Sequence, residues 1–574
     1  MQLRNLKYNR IKSLLRLVLC VGLTIFCFSN IQTQINGGRA NWWFFGRGIT
    51  SGNPHTYSMN FNNQTASAVT TSPVLNSNNF SSTYTMSNKT GNLLFYGGPM
   101  YVYNRLGNIM QNGILNSQIS SIGLYTLVLP KPCDPDKYYL FWTEDSLYYA
   151  VIDMTMDNGL GGVVPGQKGI AVPGIDSLLH TITATKHSNN RDYWIVTRKA
   201  PGKKYYSLLL SPSGINMTPV ITPIGNDILD DFQIMKIDPG QLKFSHSGDK
   251  IAFANQVSRP YTAASSFSPC MYFDSANCPG QALFELFDFN RTTGQLSNYI
   301  PLPLDSAFYN WNTSMTAPEL DSGKRMSLRT VEFSPNDQVL YCGLGNSLIQ
   351  YDLSSANPLT IQSSWIIMGQ FPSIYNLTHL QAGPDGNIYV SQAVNTVAGW
   401  SYILGRIVNP NSFGLTTNYN PNFASLINAI SIWRGLPAIL SDQLIVRTTA
   451  TQPTAICEQD TFNLTLNDTN FVDSVQWLLP GAQTKWAHSP GFSVPHAVAQ
   501  EGLYPVTGVV YSGCEFDTIF DTLRVHPQPN AHLGPDTLLC EGDTFAMNFQ
   551  DTTFSYLWNT GDTTPGIEIF LPDT

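Results

Sequence analysis

One local pattern returns along this chain and limits what it can fold into. In residues 242–253 an apolar run ends at Ser245, a polar turn follows through Gly248 and Asp249, and the chain resumes as Ile251-Ala252-Phe253. Residues 331–341 repeat this around Ser334-Pro335-Asn336-Asp337, and residues 380–390 around Gly383-Pro384-Asp385-Gly386. Residues 86–96 are a looser copy around Asn88-Lys89-Thr90-Gly91. Proline presets one turn dihedral and Gly or Asn accepts the positive φ that follows, so each segment reads as a β-hairpin. A second hairpin type, aromatic-Asp-apolar before a small polar turn, follows at Phe287-Asp288-Phe289 and at Tyr351-Asp352-Leu353. Two hairpins in succession make a four-stranded antiparallel meander.

The turns at Gly248, Asp337 and Gly386 lie 89 and 49 residues apart, read as two units and one unit of a repeat of about 45 residues. Four-stranded units at that period predict a β-propeller over residues 41–445, with seven blades favoured within six to eight. The other reading is a set of unrelated hairpins in a sandwich. Composition agrees with an all-β fold: charged residues are 12 % of the chain, about half the usual share. Asn, Ser, Thr, Gly, Tyr and Pro take their place, which favours strands and turns.

The N-terminus carries Arg4, Lys7, Arg10, Lys12 and Arg16, then an apolar run of 12 residues from Leu17 to Phe28, then a polar stretch. That order is the layout of a secretory leader, assigned to residues 1–34, and the run falls short of the roughly 20 residues a membrane-spanning helix needs. Export to the extracellular space or outer cell surface is expected, with no stable transmembrane span after cleavage. The whole chain has a formal net charge of −8, and loss of the five leader cations takes it to about −13. Such a surface repels phosphate backbones and disfavours nucleic-acid partners.

Seven cysteines follow the leader: Cys133, Cys270, Cys278, Cys342, Cys457, Cys514 and Cys540. Export permits disulfides. Cys270 and Cys278 bracket a short loop as a local pair. Residues 446–574 hold two copies of a smaller module, Cys457-Glu458-Gln459-Asp460-Thr461-Phe462 returning as Cys540-Glu541-Gly542-Asp543-Thr544-Phe545. Each is followed by a Trp, Trp477 or Trp558, and the first copy reaches a second Cys at Cys514. Cys, core Trp and second Cys on alternating strands suggest an immunoglobulin-like β-sandwich at 446–528, with a Cys457–Cys514 bridge. Two buried free thiols are the alternative. The copy at 529–574 lacks the counterpart of the second Cys, so the chain reads as a fragment that stops within this module.

Several segments, taken in order, resemble the N-terminal propeller-like region of large secreted surface proteins of Bacteroidota. They are Asn41-Trp42-Trp43-Phe44-Phe45-Gly46, Gly91-Asn92-Leu93-Leu94-Phe95-Tyr96, Val128-Leu129-Pro130-Lys131-Pro132, the run from Lys186 to Trp194, and Gly435-Leu436-Pro437. The second small module resembles the PKD-type and related immunoglobulin-like repeats that follow such propellers. The resemblance implies a propeller, a surface location, and export by the type IX secretion system with a gliding-motility-associated sorting domain. It implies no catalytic residue.

No chemistry-bearing motif stands out. The nine histidines make no HExxH or HxH pair, and neither GxSxG, a P-loop nor a dinucleotide fingerprint occurs in the mature chain. Catalytic, cofactor and metal residues are therefore assigned as none. The run Lys186-His187-Ser188-Asn189-Asn190-Arg191-Asp192 combines a base, a hydroxyl and a guanidinium, but a polar hairpin turn explains it. Asp153 to Gly159 lacks calcium-loop spacing and reads as a turn. Trp42, Trp43, Tyr148, Tyr149, Trp194, Tyr205, Tyr206 and Trp400 could stack on sugars, but aromatics at strand positions are expected in the core.

The leading expectation is a non-catalytic binding or adhesion protein. Its propeller would meet an extracellular polysaccharide or surface protein, and its immunoglobulin-like modules would be spacers. A propeller enzyme acting on polysaccharide and a purely structural stalk are the alternatives. A channel-mouth pocket with converging acids and histidines would point to the enzyme, a flat or aromatic-lined mouth to binding, and a filled channel to the structural role.

Overall fold

In the computed structural model the described residues run from 38 to 570 with breaks, the longest at 70–82, 229–239, 255–283, 304–328, 426–435 and 529–543. The leader and the Cys270/Cys278 pair lie outside them. The fold is nearly all-β, and among the described residues the one α-helix is Pro358–Ser363. Two compact units form: Asn36–Val446 with Ser512–Glu515, and Arg447–Tyr511 with Phe516–Thr574.

The first unit is β-propeller-like. Among its described residues, strands group into seven successive antiparallel sets, at 42–69, 84–114, 126–176, 178–228, 242–302, 329–370 and 375–425. The fifth shows the plan: Leu242–Phe244, Lys250–Ala254, Phe284–Asn290 and Gln295–Leu302 pair in chain order. The second and third sets are linked into one eight-stranded sheet by a parallel bridge, Gly162 to Gln111.

The turn chemistry read from the sequence holds. Gly91, Gly248, Asp337 and Gly386 all take positive φ, and each donates its N–H to the carbonyl three residues earlier, on Asn88, Ser245, Ser334 and Gly383. The serines of the pattern have a use: Ser245 Oγ accepts from Lys250 N at 3.0 Å and Ser334 Oγ from Val339 N at 2.9 Å. The spacing, however, is corrected. The turns at Gly248 and Asp337 belong to neighbouring sheets, so 89 residues is one unit and not two. The extra length is the chain at 255–283 and 304–328.

Each sheet buries its faces on the next. Phe44 of the first stacks on Tyr96 of the second with ring centroids 4.1 Å apart. Tyr84, Phe95 and Met110 meet Leu140 and Trp142 of the third. Phe141 and Leu147 meet Ile182 and Ile195 of the fourth, and Trp194 and Tyr205 meet Phe253 and Phe287 of the fifth. Leu286 meets Phe333 and Ile349 of the sixth. Tyr341 and Leu348 share a core with Leu380 and Tyr389 of the seventh, and Trp43, Met59 and Phe61 of the first enter that same core. The seventh sheet therefore packs back on the first.

In the second unit, Thr449–Gln452, Thr461–Leu466 and Val494–Ala497 form one sheet. Lys485–His488, Ser474–Leu478, Gly502–Ser512 and Glu515–Val525 form the other, in that order. Alternate residues of both enclose a core centred on fully buried Trp477. Farther on, Thr544–Asn548 pairs with Gly566–Phe570, and Cys540 lies outside the described residues.

The cysteine pairing differs from expectation. Cys514 bonds Cys133, and Cys457 is buried and takes no part in that bond. The inward positions of Gly502–Ser512 are Val506, Gly508 and Val510; Cys514 lies beyond the strand, in the turn. Trp477 packs on Gly508, where an added Cβ would fall 2.8 Å from its ring, so the core Trp rests on a glycine and not on a disulfide.

Candidate functional site

The first strand of each sheet is innermost, since the first strands of consecutive sheets touch from the second sheet to the seventh. These strands alternate apolar residues, which enter the cores between sheets, with buried polar ones: Thr181, Thr183 and Thr185; Gln241, Lys243 and Ser245; Thr330, Glu332 and Ser334; His379 and Gln381. Period two places each polar set on one face, around the axis of the ring.

The polar groups bond to one another across the sheets. Lys243 Nζ lies 3.1 Å from Glu332 Oε2 and donates to Gln381 Oε1. Glu332 also accepts from the backbone of Ala382 and Phe333, each at 3.1 Å. Gln241 accepts from Thr330 Oγ1 and Val331 N, donates to the Leu380 carbonyl, and faces His379 Nε2 at 2.8 Å. His379 Nδ1 accepts from Leu436 N at 3.2 Å. Burial, helped by the charge of Lys243, holds His379 well below the usual histidine range, so it is neutral at pH 7.

Residues 436–444 cover this network. Leu436, Ile439 and Leu444 pack with the seventh sheet, Leu440 packs with the third and fourth, and Tyr193 donates to Asp442 at 3.0 Å. A cavity of about 10 Å³ remains beside Thr183, Lys243, His246, Glu332, Gln381 and Ser441, room for a single water. Ser441 Oγ has no protein partner, and a water there would satisfy it.

The run from Lys186 to Asp192 forms the turn between the first two strands of the fourth sheet. His187 N donates to Asp192 O at 2.8 Å and Asn190, at φ 54°, donates to His187 O at 2.9 Å. It is a fifth copy of the repeated turn, with Asn in the glycine position. Its side chains are engaged locally: Arg191 Nε donates to Asp192 at 2.8 Å, Asn189 N to His187 Nδ1 at 3.0 Å, and Thr292 Oγ1 to Ser188 Oγ at 2.9 Å. Burial would raise the Asp192 carboxyl, but bonds from Arg191 and Asn189 outweigh it and hold it below the usual range. Asp153 accepts from Thr155, and Asp157–Gly159 is a 3₁₀ turn.

Of the candidate sugar-stacking rings, Trp43, Tyr149, Trp194, Tyr205 and Tyr206 are buried, Trp42 and Tyr148 are half-buried, and the Trp400 side chain lies outside the described residues. Among the described residues no cluster of three His, Cys, Asp or Glu could hold a metal ion, and no helix is long and apolar enough to cross a membrane.

Sequence reasoning missed two features. Arg198 and Glu285, both wholly buried, pair at 3.1 Å between the fourth and fifth sheets, with Arg198 also bonded to Tyr205 and to the Asn226 carbonyl. Residues 512–515 belong with the propeller-like unit: besides the disulfide, Glu515 meets Arg39 at 2.7 Å and Lys89 at 3.3 Å, and Ser512 accepts from Lys186 at 3.3 Å. Neither had a local signal in the sequence, because the partners lie 87 to 476 residues apart.

No protein-family description matches the chain, and no curated protein matches it. Solved structures are similar to it at low identity and low TM-score. The Pseudomonas aeruginosa periplasmic gluconolactonase is 10 % identical, covering 70 % of this chain and 97 % of its own, at TM-score 0.32. Kluyveromyces lactis Hsv2 is 8 % identical over 61 % of this chain and 91 % of its own, at 0.31. The extracellular domain of a B. thetaiotaomicron protein of the hybrid two component type is 12 % identical over 85 % and 68 %, at 0.20. At these scores no residue role is carried over from any of them.

Proposed function

We propose that this chain is an exported, non-catalytic protein of the bacterial surface or its surroundings. Its residues 36–446 are read as a seven-bladed β-propeller serving as a rigid scaffold, and 447–525 as an immunoglobulin-like, PKD-type sandwich. The observation that carries the non-catalytic reading is the axis network: Lys243, Glu332, Gln241, Gln381 and His379 are bonded to one another and covered by 436–444. An acid or base engaged in that way has room beside it for one water and none for a substrate. A filled axis also moves ligand binding to outward surfaces. The leader at 1–34 and the Cys133–Cys514 disulfide support an oxidising destination outside the cytoplasm.

The test is a turnover screen of the purified chain against a simple lactone, aryl esters, aryl glycosides and soluble polysaccharides. No turnover above the buffer rate is expected. Reproducible turnover abolished by Glu332→Gln would overturn the reading.

A further inference from the structure

Among the described residues the solvent-facing aromatics are Trp486 (49 % exposed), Phe516 (61 %) and Phe520 (54 %), all on the four-stranded sheet of the second unit. On that sheet Val475, Trp477, Ala487, Val510 and Ile519 turn inward to the core. The alternate positions therefore face outward. Trp486 stands opposite Gln476, and Tyr511 opposite Ser474. The Trp486 and Tyr511 rings are 5.3 Å apart, and Tyr511 and Phe516 are 6.2 Å apart. His488 lies parallel to Trp486 with an interplanar angle of 10°. The rings form a row that crosses all four strands.

The row has a definite chemistry. Its outward neighbours are Ser474, Gln476, His488, Val509 and Thr518, with no Lys, Arg, Asp or Glu among them. On a chain of net charge −8 this is a neutral surface that offers a polyanion or an acidic peptide nothing to pair with. It crosses the strands, so it does not use a strand edge. What fits is an uncharged, extended ligand with apolar faces at intervals of about one ring and hydrogen-bonding groups around its edges. A neutral polysaccharide has that form: pyranose C–H faces meet the electron-rich ring faces, and hydroxyls meet amide, hydroxyl and imidazole groups.

We propose that this face binds a neutral polysaccharide, with Trp486, Tyr511 and Phe516 stacking on successive sugars and Gln476, Ser474 and His488 bonding their hydroxyls. The sandwich then has a ligand of its own and is not a spacer. The proposal concerns side chains other than those of the axis network and does not depend on the axis being inert.

The test is affinity electrophoresis of the mature chain in gels containing hydroxyethyl cellulose, laminarin, xyloglucan or galactomannan, with polygalacturonate as the charged control. Retardation by at least one neutral glycan is expected. Trp486→Ala should weaken it about ten-fold and Phe516→Ala should weaken it too, Trp486→Tyr should keep most of it, and Leu359→Ala elsewhere should leave it unchanged. Thermal unfolding checks that each variant is folded, and light scattering reports its oligomeric state. Three results would overturn the proposal: no retardation by any of the four glycans, retardation unaffected by Trp486→Ala, or a wild-type dimer that Trp486→Ala dissociates, which would make a second copy the occupant.

Discussion

Glu515 shows what one side chain contributes here. Burial alone would raise its carboxyl, but Arg39, Lys89 and Lys186 outweigh that and bring it down to about 2 from an ordinary 4.5. Because the folded value is depressed, the stabilisation is fully present above the unfolded value and is lost as pH falls from about 4.5 towards 2. The shift corresponds to roughly 3 kcal/mol at pH 7. Glu515→Gln should therefore lower stability near neutrality by that order and flatten the loss between pH 4.5 and 2, read by denaturant unfolding of both proteins across that range. Equal pH dependence of the two would show that the Arg39–Glu515 pair is not what sets it. Cys514, its neighbour, could not be assigned from spacing, because its partner Cys133 is 381 residues away in sequence.

At the scale of the element, the repeated turn separates backbone cost from packing cost. Gly386 has φ +75° and open space where a Cβ would go; Gly248 has φ +78° and Thr185 Oγ1 2.2 Å from that position. Gly386→Ala should cost about 1 kcal/mol from the left-handed backbone alone. Gly248→Ala adds a steric clash with the neighbouring sheet and should cost about 2–3 kcal/mol. Thermal unfolding of the two variants gives the comparison, and equal losses would mean the Thr185 contact yields easily. Both glycines read alike in the sequence. The difference lies in what the fourth sheet places beside one of them.

For the whole propeller-like unit, stability depends on closing the ring. Trp43, Met59 and Phe61 fill the core of the seventh sheet, and Phe44 stacks on the second. A chain starting at residue 62 would leave both faces open, exposing a large apolar patch. It should bind a hydrophobic dye, unfold at lower temperature and aggregate, while the same chain starting at residue 38 stays monomeric by light scattering. A monomeric, fully stable shortened protein would show that the first sheet is an appendage.

Much of this was legible locally. Turn chemistry at 245–250, 334–339 and 383–387 marks hairpins from residue type alone, because φ preferences and side-chain bonds to nearby backbone act over a few positions. Alternation on the strands tells which residues enter the cores. What residue order could not supply is everything set by distant partners. The sheet count between Gly248 and Asp337 depended on inserted chain, the Cys133–Cys514 bond joins positions with no local relation, and Arg198 meets Glu285 across two sheets. The same holds for exposure. Trp194 and Trp486 look equivalent in the sequence, yet one is buried between sheets and the other stands on an open face. The sequence by itself determined strands, turns and their meander. Only the tertiary structure decided which polar groups are spent on one another at the axis and which rings stand exposed on a sheet face, because burial is a property of what packs around a residue and not of the residue.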